Sequence, residues 1–213
     1  MTQTTAQISC DSTTKEIKNL YANEEGWVSI VPEEYRHSTI ENCKELPETL
    51  RKFGLDWACE LPFKSLFICG TYGSGKTTFA FAIIRRLMQN LRGHGYFWPY
   101  YLTGRSLDMT FLKAIRSDDG DDQIIEKYAD MDLLFIDDLD KVCASDRFKT
   151  QFFDLINRRY ISNRTTIITS NCLPKELGEL LDGAVLSRIS DAAKWKTITF
   201  PKKDLRLSSE INF

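Results

Sequence analysis

The sequence predicts an α/β protein, a three-layer sandwich around a mostly parallel, five-stranded sheet. Three observations lead there. Short apolar runs at 66–69, 133–136 and 166–169 read as buried strands. Segments with helical periodicity separate them. Each run ends abruptly, in Gly70, in Asp137–Asp138 or in Ser170–Asn171, as strands do when their carboxyl ends carry side chains to one edge of a parallel sheet.

The elements follow in order. Residues 1–12 are rich in Ser, Thr and Gln, and 13–22 suit one short helix. The segment 31–43, VPEEYRHSTIENC, begins as an extended proline turn and leads toward a helix over 45–60. After the run at 66–69 comes a glycine-rich turn, then a helix over 76–92 with Phe79, Ile83, Leu87 and Leu91 at helical spacing. Gly93 and Gly95 stop it, and the aromatic stretch 96–103 reads as a strand. Helices are expected over 106–117 and 121–130, joined by an acidic turn at 118–122. Beyond the run at 133–136, residues 146–162 form a strong amphipathic helix with Phe148, Phe152, Leu155 and Ile156 on its apolar face. After 166–169, helices over 174–182, opened by Pro174, and over 184–191 precede a last strand at 197–200, ended by Pro201. This divides the chain into an extension (1–30), an α/β core (31–207) and a tail (208–213).

Composition sets bounds on function. A chain of 213 residues fits one domain, and an apolar share of 42% supplies a real core. A net charge of -2 gives no global basic excess for nucleic acid, although a local basic face stays open. The six cysteines form no CxxC and no zinc-type spacing; Cys69 and Cys172 read as small core residues. The pattern suits a reducing compartment. The polar start lacks the apolar segment of a signal peptide, and no uncharged apolar run approaches the roughly 20 residues that span a bilayer. The expectation is a soluble, cytoplasmic protein with no membrane partner.

The decisive motif is GTYGSGKT at 70–77. It matches GxxxxGK[ST] with a strand before it and a helix after it, the context that identifies a P-loop. Gly70, Gly73 and Gly75 let the backbone curl so that its N–H groups, with Thr71, Tyr72, Ser74 and Thr78 around the turn, face a phosphate. The helix that begins near Lys76 adds its positive end. Lys76 supplies a cation for the β- and γ-phosphates of ATP, and the Thr77 hydroxyl is a ligand for Mg2+.

Two further strand ends complete the pattern. MDLLFIDDLD at 131–140 delivers two carboxylates to the same edge. Asp137 would join the Mg2+ shell, and Asp138 would orient and deprotonate the attacking water; as a bare pattern, two aspartates after a strand also suit a simple turn. TTIITSN at 165–171 ends in Asn171, either a turn residue or an amide that holds the lytic water near the γ-phosphate. Arg188, in VLSRISD, reads either as an arginine finger reaching a neighbouring subunit's nucleotide or as a surface arginine paired with Asp182 or Asp191.

Taken together, these segments resemble the AAA+ ATPases, and within them the DnaC-type replicative helicase loaders and the IstB-type transposition ATPases. The resemblance covers residues 31–207 and rests on VPEEYRHSTIENC, GTYGSGKT, LLFIDDLD, FFDLINRRY, TIITSN, PKEL, LLDGAVLSRISD and ITFPKKDLR. It implies an AAA+ core with Lys76 and Thr77 as the Walker A pair, Asp137 and Asp138 as Walker B, Asn171 as sensor 1 and Arg188 as the arginine finger. It implies ATP hydrolysis within an ATP-dependent homo-oligomer, with a hexameric replicative helicase and single-stranded DNA as partners.

The chain also departs from that pattern. About 30 residues precede the family-like entry, so a helicase contact would use the short helix near 15–21 or another surface. Only 13 residues follow Phe200, which implies a reduced or absent helical lid and leaves no sensor 2 arginine to name. The resemblance brings helices 106–130 near DNA, yet they carry few basic residues beyond Lys113 and Arg116. The aromatics of 94–105 either stack on unpaired bases or pack as a buried strand edge. Helicase loading is the leading reading, and phage origin is compatible with it. A transposition regulator of the IstB type would share every ATP-site residue. A nucleotide kinase would need a lid and substrate arginines, and a scaffold without turnover would not need Lys76, Asp137 and Asp138 together.

Overall fold

The computed structural model describes residues 24–60, 63–91, 97, 99–114, 120–202 and 205. Its strands are β1 (Ser65–Cys69), β2 (Pro99–Thr103), β3 (Leu133–Asp137), β4 (Thr165–Ser170) and β5 (Trp195–Thr199). Its α-helices are α1 (Glu24–Ile30), α2 (Glu48–Trp57), α3 (Lys76–Asn90), α4 (Gly104–Ala114), α5 (Gly120–Ala129), α6 (Asp146–Ile161), α7 (Pro174–Leu180) and α8 (Gly183–Ile189).

The strands form one sheet in the order β2-β3-β4-β1-β5, every pair parallel. β1, β3 and β4 are buried along their whole length, which is why they read as unbroken apolar runs. Their side chains alternate between two cores. Leu66, Ile68, Leu133, Phe135 and Ile167 face α1, α2 and α3. Phe67, Cys69, Leu134, Ile136 and Ile168 face the layer that contains α4 to α8. This is the three-layer α/β/α arrangement of a P-loop NTPase. The edge strand β5 buries Trp195 and Ile198 but exposes Lys196, Thr197 and Thr199, so its sequence pattern is weak and its observed span begins before the expected 197–200.

The core takes in residues 24–30, a correction to the expected boundary at 31. Trp27 is 2% exposed, stands edge-on to Phe81 at 6.2 Å, and donates its indole N–H to the Arg36 carbonyl at 2.9 Å. The expected helix at 13–22 and the tail at 208–213 lie outside the described residues. The aromatics of β2 are packed inward rather than displayed: Tyr101 lies against Phe81 and Phe135 at 4.9 and 5.3 Å, and Tyr100 against Tyr128 at 5.4 Å. Tyr96, Trp98 and Arg116 lie outside the described residues. Among those described, no helix is long and apolar enough to cross a membrane, and Cys43, Cys59, Cys69, Cys143 and Cys172 are free thiols.

Candidate active site

Strand order builds the site. β4 lies between β1, which leads into the P-loop, and β3, which ends in Asp137. The residues that follow the three strands therefore meet at one sheet edge, with Cys69 in register with Ser170 and Ile136 with Ile168.

The P-loop turns on two left-handed glycines, Gly73 (φ 69°) and Gly75 (φ 89°), conformations that a side chain at either position would strain. Gly75 immediately precedes α3, so the free N–H groups of that helix open into the cleft. The chain after β5 braces the loop: Phe200 N–H donates to the Cys69 carbonyl at 2.7 Å and Leu205 N–H to the Gly73 carbonyl at 2.9 Å.

Lys76 is 5% exposed. Its ammonium donates to the Gly70 carbonyl at 2.9 Å, the Thr71 carbonyl at 2.8 Å and Asn171 Oδ1 at 3.0 Å. Burial lowers its pKa, against the opposing pull of Asp138, Asp140 and Asp137.

Thr77 Oγ1 donates to Asp137 Oδ1 at 2.8 Å, and Thr169 Oγ1 donates to the same oxygen at 2.5 Å. Asp137 is 6% exposed; burial pushes its carboxyl above the usual range while the two hydroxyls work to lower it. Two hard oxygen ligands thus converge beside the phosphate loop. That donor set fits Mg2+, which keeps water and phosphate oxygens for the rest of its shell. Asp138 stands in the left-handed region at φ 50°, where its N–H donates to Thr169 Oγ1 at 2.9 Å. Asp tolerates this conformation better than most residues, and such backbone collects at functional sites.

A cleft of about 650 Å³ joins these groups, a volume that suits a small-molecule ligand. Thr77, Thr78, Asp137, Asp138 and Asn171 are among its lining. Tyr35, Asn42, Cys43 and Leu46 line it as well; they belong to the segment 31–46, whose sequence carries no phosphate or metal motif. Asp140, to which no sequence motif assigns a role, also belongs to the site. Its carboxylate receives the Asn171 backbone N–H at 2.8 Å and the Asn171 side-chain amide at 2.9 Å. Burial acts to raise the Asp140 carboxyl, but the Asn171 bonds and Lys141 together hold it below its usual range.

The structure thus brings together residues 70–78, Asp137, Asp138 and Asn171. Arg188 stands apart from them. Its Nε donates to Asn157 Oδ1 at 3.0 Å, and its guanidinium lies 5.1 Å from the Tyr160 ring centre. The two aspartates weighed as its partners are used elsewhere: Asp182 caps the Ala184 N–H of α8, and Asp191 accepts the Tyr160 hydroxyl.

A parallel sheet in this order, a P-loop after β1, paired aspartates at the end of β3 and a polar residue after the intervening β4 define a P-loop NTPase domain of the AAA+ type. The chain belongs to the bacterial DnaA ATPase domain family, whose profile matches residues 55–193. It is 30% identical over 118 residues to the chromosomal replication initiator protein DnaA of Caldanaerobacter subterraneus, a match covering 55% of this chain and 26% of that protein. The chain therefore spans about a quarter of the length of the curated relatives it matches. The fold is shared with a replication initiator DnaA bound to AMPPCP and single-stranded DNA, with a TM-score of 0.65, 19% identity, and 81% of this chain and 51% of that one covered. It is also shared with a DnaC helicase loader, with a TM-score of 0.64, 18% identity, and 80% of this chain and 100% of that one covered.

Proposed function

We propose that this chain is an ATP-hydrolysing replication factor of the helicase-loading type. It binds ATP and Mg2+ in the cleft, assembles with further copies of itself, binds a hexameric replicative helicase and assists its placement on single-stranded DNA. The family, and a DnaA relative bound to an ATP analogue and single-stranded DNA, support the nucleotide and the pathway. The shared fold with a DnaC helicase loader supports the partner.

The observation that carries the reading is the division of the site. Lys76 bonded to Asn171 and Thr77 bonded to Asp137 line one cleft, whereas Arg188 is held by Asn157 of α6 and is not part of that lining. This placement supports a role for Arg188 at the nucleotide of a neighbouring copy and not at that of its own chain.

In the reaction, water oxygen bonds to the γ-phosphorus as the bond to the β,γ-bridging oxygen breaks. The bridging oxygen keeps the electron pair and leaves on ADP, and the water proton passes to the Asp138 carboxylate. Lys76 exchanges its carbonyl partners for phosphate oxygens. Thr77 and Asp137 would hold Mg2+, which would supply neutralisation of phosphate charge. Arg188 of the adjacent copy stabilises the charge that builds on the transferred group.

Size-exclusion chromatography with light scattering, run with a replicative helicase with and without ATP, tests the partner. A complex of defined mass supports the loader reading. No complex in either condition excludes it and favours an ATPase acting on transposase and target DNA.

A further inference from the structure

Asp140 belongs to the turn after β3, behind Asn171 as seen from the cleft, and its side chain is 6% exposed. Its carboxylate collects donors. The Asn171 backbone N–H lies at 2.8 Å, Asn171 Nδ2 at 2.9 and 3.2 Å from its two oxygens, and Ser170 Oγ at 3.2 Å. The Lys141 ammonium stands 3.2 Å from the same carboxylate and also bonds the Tyr72 hydroxyl of the P-loop. On its other side the Asn171 amide meets Lys76, whose Nζ donates to Oδ1 at 3.0 Å.

The chemistry of the two neighbours dictates which way this amide points. An ionised carboxylate only accepts hydrogen bonds, and an ammonium only donates them. One orientation satisfies both: Nδ2 toward Asp140 and Oδ1 toward Lys76. The flipped amide would set oxygen against carboxylate and N–H against ammonium, losing two charge-assisted bonds at once.

We propose that Asp140 is a positioning residue of the ATPase site, which locks Asn171 with its carbonyl oxygen toward the reacting groups, so that Asn171 acts on the attacking water as an acceptor and not on the γ-phosphate as a donor. The inference rests on the hydrolysis reading above. When Lys76 moves onto phosphate, Oδ1 loses its donor and is free to accept a hydrogen bond from one O–H of the water while the Asp138 carboxylate accepts one from the other O–H and takes that proton. A phosphate oxygen cannot take that place, because two acceptors repel. Lys141 ties the clamp to the P-loop through Tyr72, 4.3 Å from the ring centre, so the loop that holds the nucleotide and the turn that aims Asn171 share one polar network.

Exchanging the partners tests this. Asp140→Asn removes the acceptor, and Asn171→Asp sets two carboxylates face to face. The double exchange Asp140→Asn/Asn171→Asp restores a donor–acceptor pair of reversed polarity, with the same total charge and a carboxylate oxygen still facing Lys76. Each single variant should lose about tenfold or more in kcat with ATP affinity changed less than about threefold, and the double variant should exceed both. A single Asp140→Asn variant that turns over like the parent, or a double variant no faster than the slower single one, overturns the proposal. A parent chain that binds ATP without hydrolysing it would remove the hydrolysis reading instead. The clamp is read independently of turnover from the side-chain amide resonance of Asn171, identified by its loss in Asn171→Asp. That resonance should shift and lose exchange protection in Asp140→Asn while the backbone spectrum keeps its dispersion. An unchanged resonance refutes the clamp whatever the ATPase result.

Discussion

Thr169 connects the two aspartates at the end of β3: its hydroxyl donates to Asp137 Oδ1 at 2.5 Å and accepts the Asp138 N–H at 2.9 Å. One side chain on the neighbouring strand thus fixes a buried carboxylate and stabilises a left-handed turn. Thr169 is 0% exposed, so its hydroxyl acts on the site through these bonds.

Thr169→Val keeps the volume and removes the hydroxyl. Positioning partners of metal ligands are worth about 10–100-fold in metal affinity, so Mg2+-dependent ATP binding should weaken by about that factor, with Mg2+-free binding little changed. The pH dependence has a definite sign. Burial has raised the folded-state pKa of Asp137, so its contribution to stability is present below the unfolded value and lost as pH rises through the folded value. Mg2+ needs the ionised form, so its binding appears as pH rises through that same folded value. Losing a hydroxyl that favours the carboxylate raises the folded pKa further. Titration calorimetry across the acidic range should therefore find the onset of Mg2+-dependent binding at higher pH in the variant; an onset at lower or equal pH would disprove the assignment.

Gly104 opens α4 against the same turn. A Cβ there would stand 2.9 Å from the Asp138 carbonyl oxygen and 2.9 Å from Leu139 Cα. In an open helical position Gly→Ala stabilises by roughly 0.5–1 kcal/mol. Here the methyl meets backbone that cannot rotate away, so Gly104→Ala should instead destabilise by about 1–3 kcal/mol and lower kcat by shifting Asp138. Denaturant unfolding beside steady-state ATPase rates checks both effects. A stabilised variant with normal turnover would show that the turn yields freely.

The contrast among these residues explains what the sequence could reveal. The P-loop is contiguous, and its chemistry depends on backbone curvature that three glycines announce. Asp137 and Asn171 follow apolar runs, and a parallel sheet places all such ends on one edge. The contact between Asp140 and Asn171 needs β3 beside β4, and nothing local to either segment encodes that adjacency. Gly104 likewise opposes the Asp138 turn only because β2 pairs with β3, with Thr103 in register with Asp137. Trp27 was legible as an aromatic but not as core, because the cavity that receives it is made by Phe81 and Arg85 from a helix some sixty residues on. Arg159 could have been found: it falls on the apolar stripe of α6, four residues beyond Leu155, where a surface arginine does not belong.

That arginine is 1% exposed and spends its donors on structure. It bonds the carbonyls of Tyr128, Ala129 and Met131 at 2.7, 3.0 and 2.7 Å, the Thr165 carbonyl at 2.5 Å and Thr166 Oγ1 at 2.9 Å. Burial pushes its pKa down, yet those acceptors keep the guanidinium charged, and it closes the carboxyl end of α5 onto the start of β4. Arg159→Met preserves the stem and orphans the carbonyls, so it should cost on the order of 3–5 kcal/mol, measured by urea unfolding. Arg159→Lys should recover only part, because an ammonium has three donors and no fork. A loss below about 1 kcal/mol would mean that water replaces the guanidinium.

Arg188 yields the most discriminating experiment on assembly, because the proposal divides each active site between two chains. Arg188→Ala retains an intact cleft and lacks the arginine for its neighbour; Asp138→Asn retains Arg188 and lacks the group proposed to take the water proton. Each variant alone should hydrolyse ATP at least about tenfold more slowly than the parent. Mixed, they form some interfaces in which the Arg188→Ala chain supplies Asp138 and the Asp138→Asn chain supplies Arg188, so the mixture should exceed the sum of the separate rates. Single-chain affinity for a non-hydrolysable ATP analogue should be unchanged in Arg188→Ala, since Arg188 is held at Asn157 and Tyr160 outside the cleft. A mixture that gains nothing while still co-assembling would return Arg188 to a local role, and a lost analogue affinity would show that it acts within its own chain.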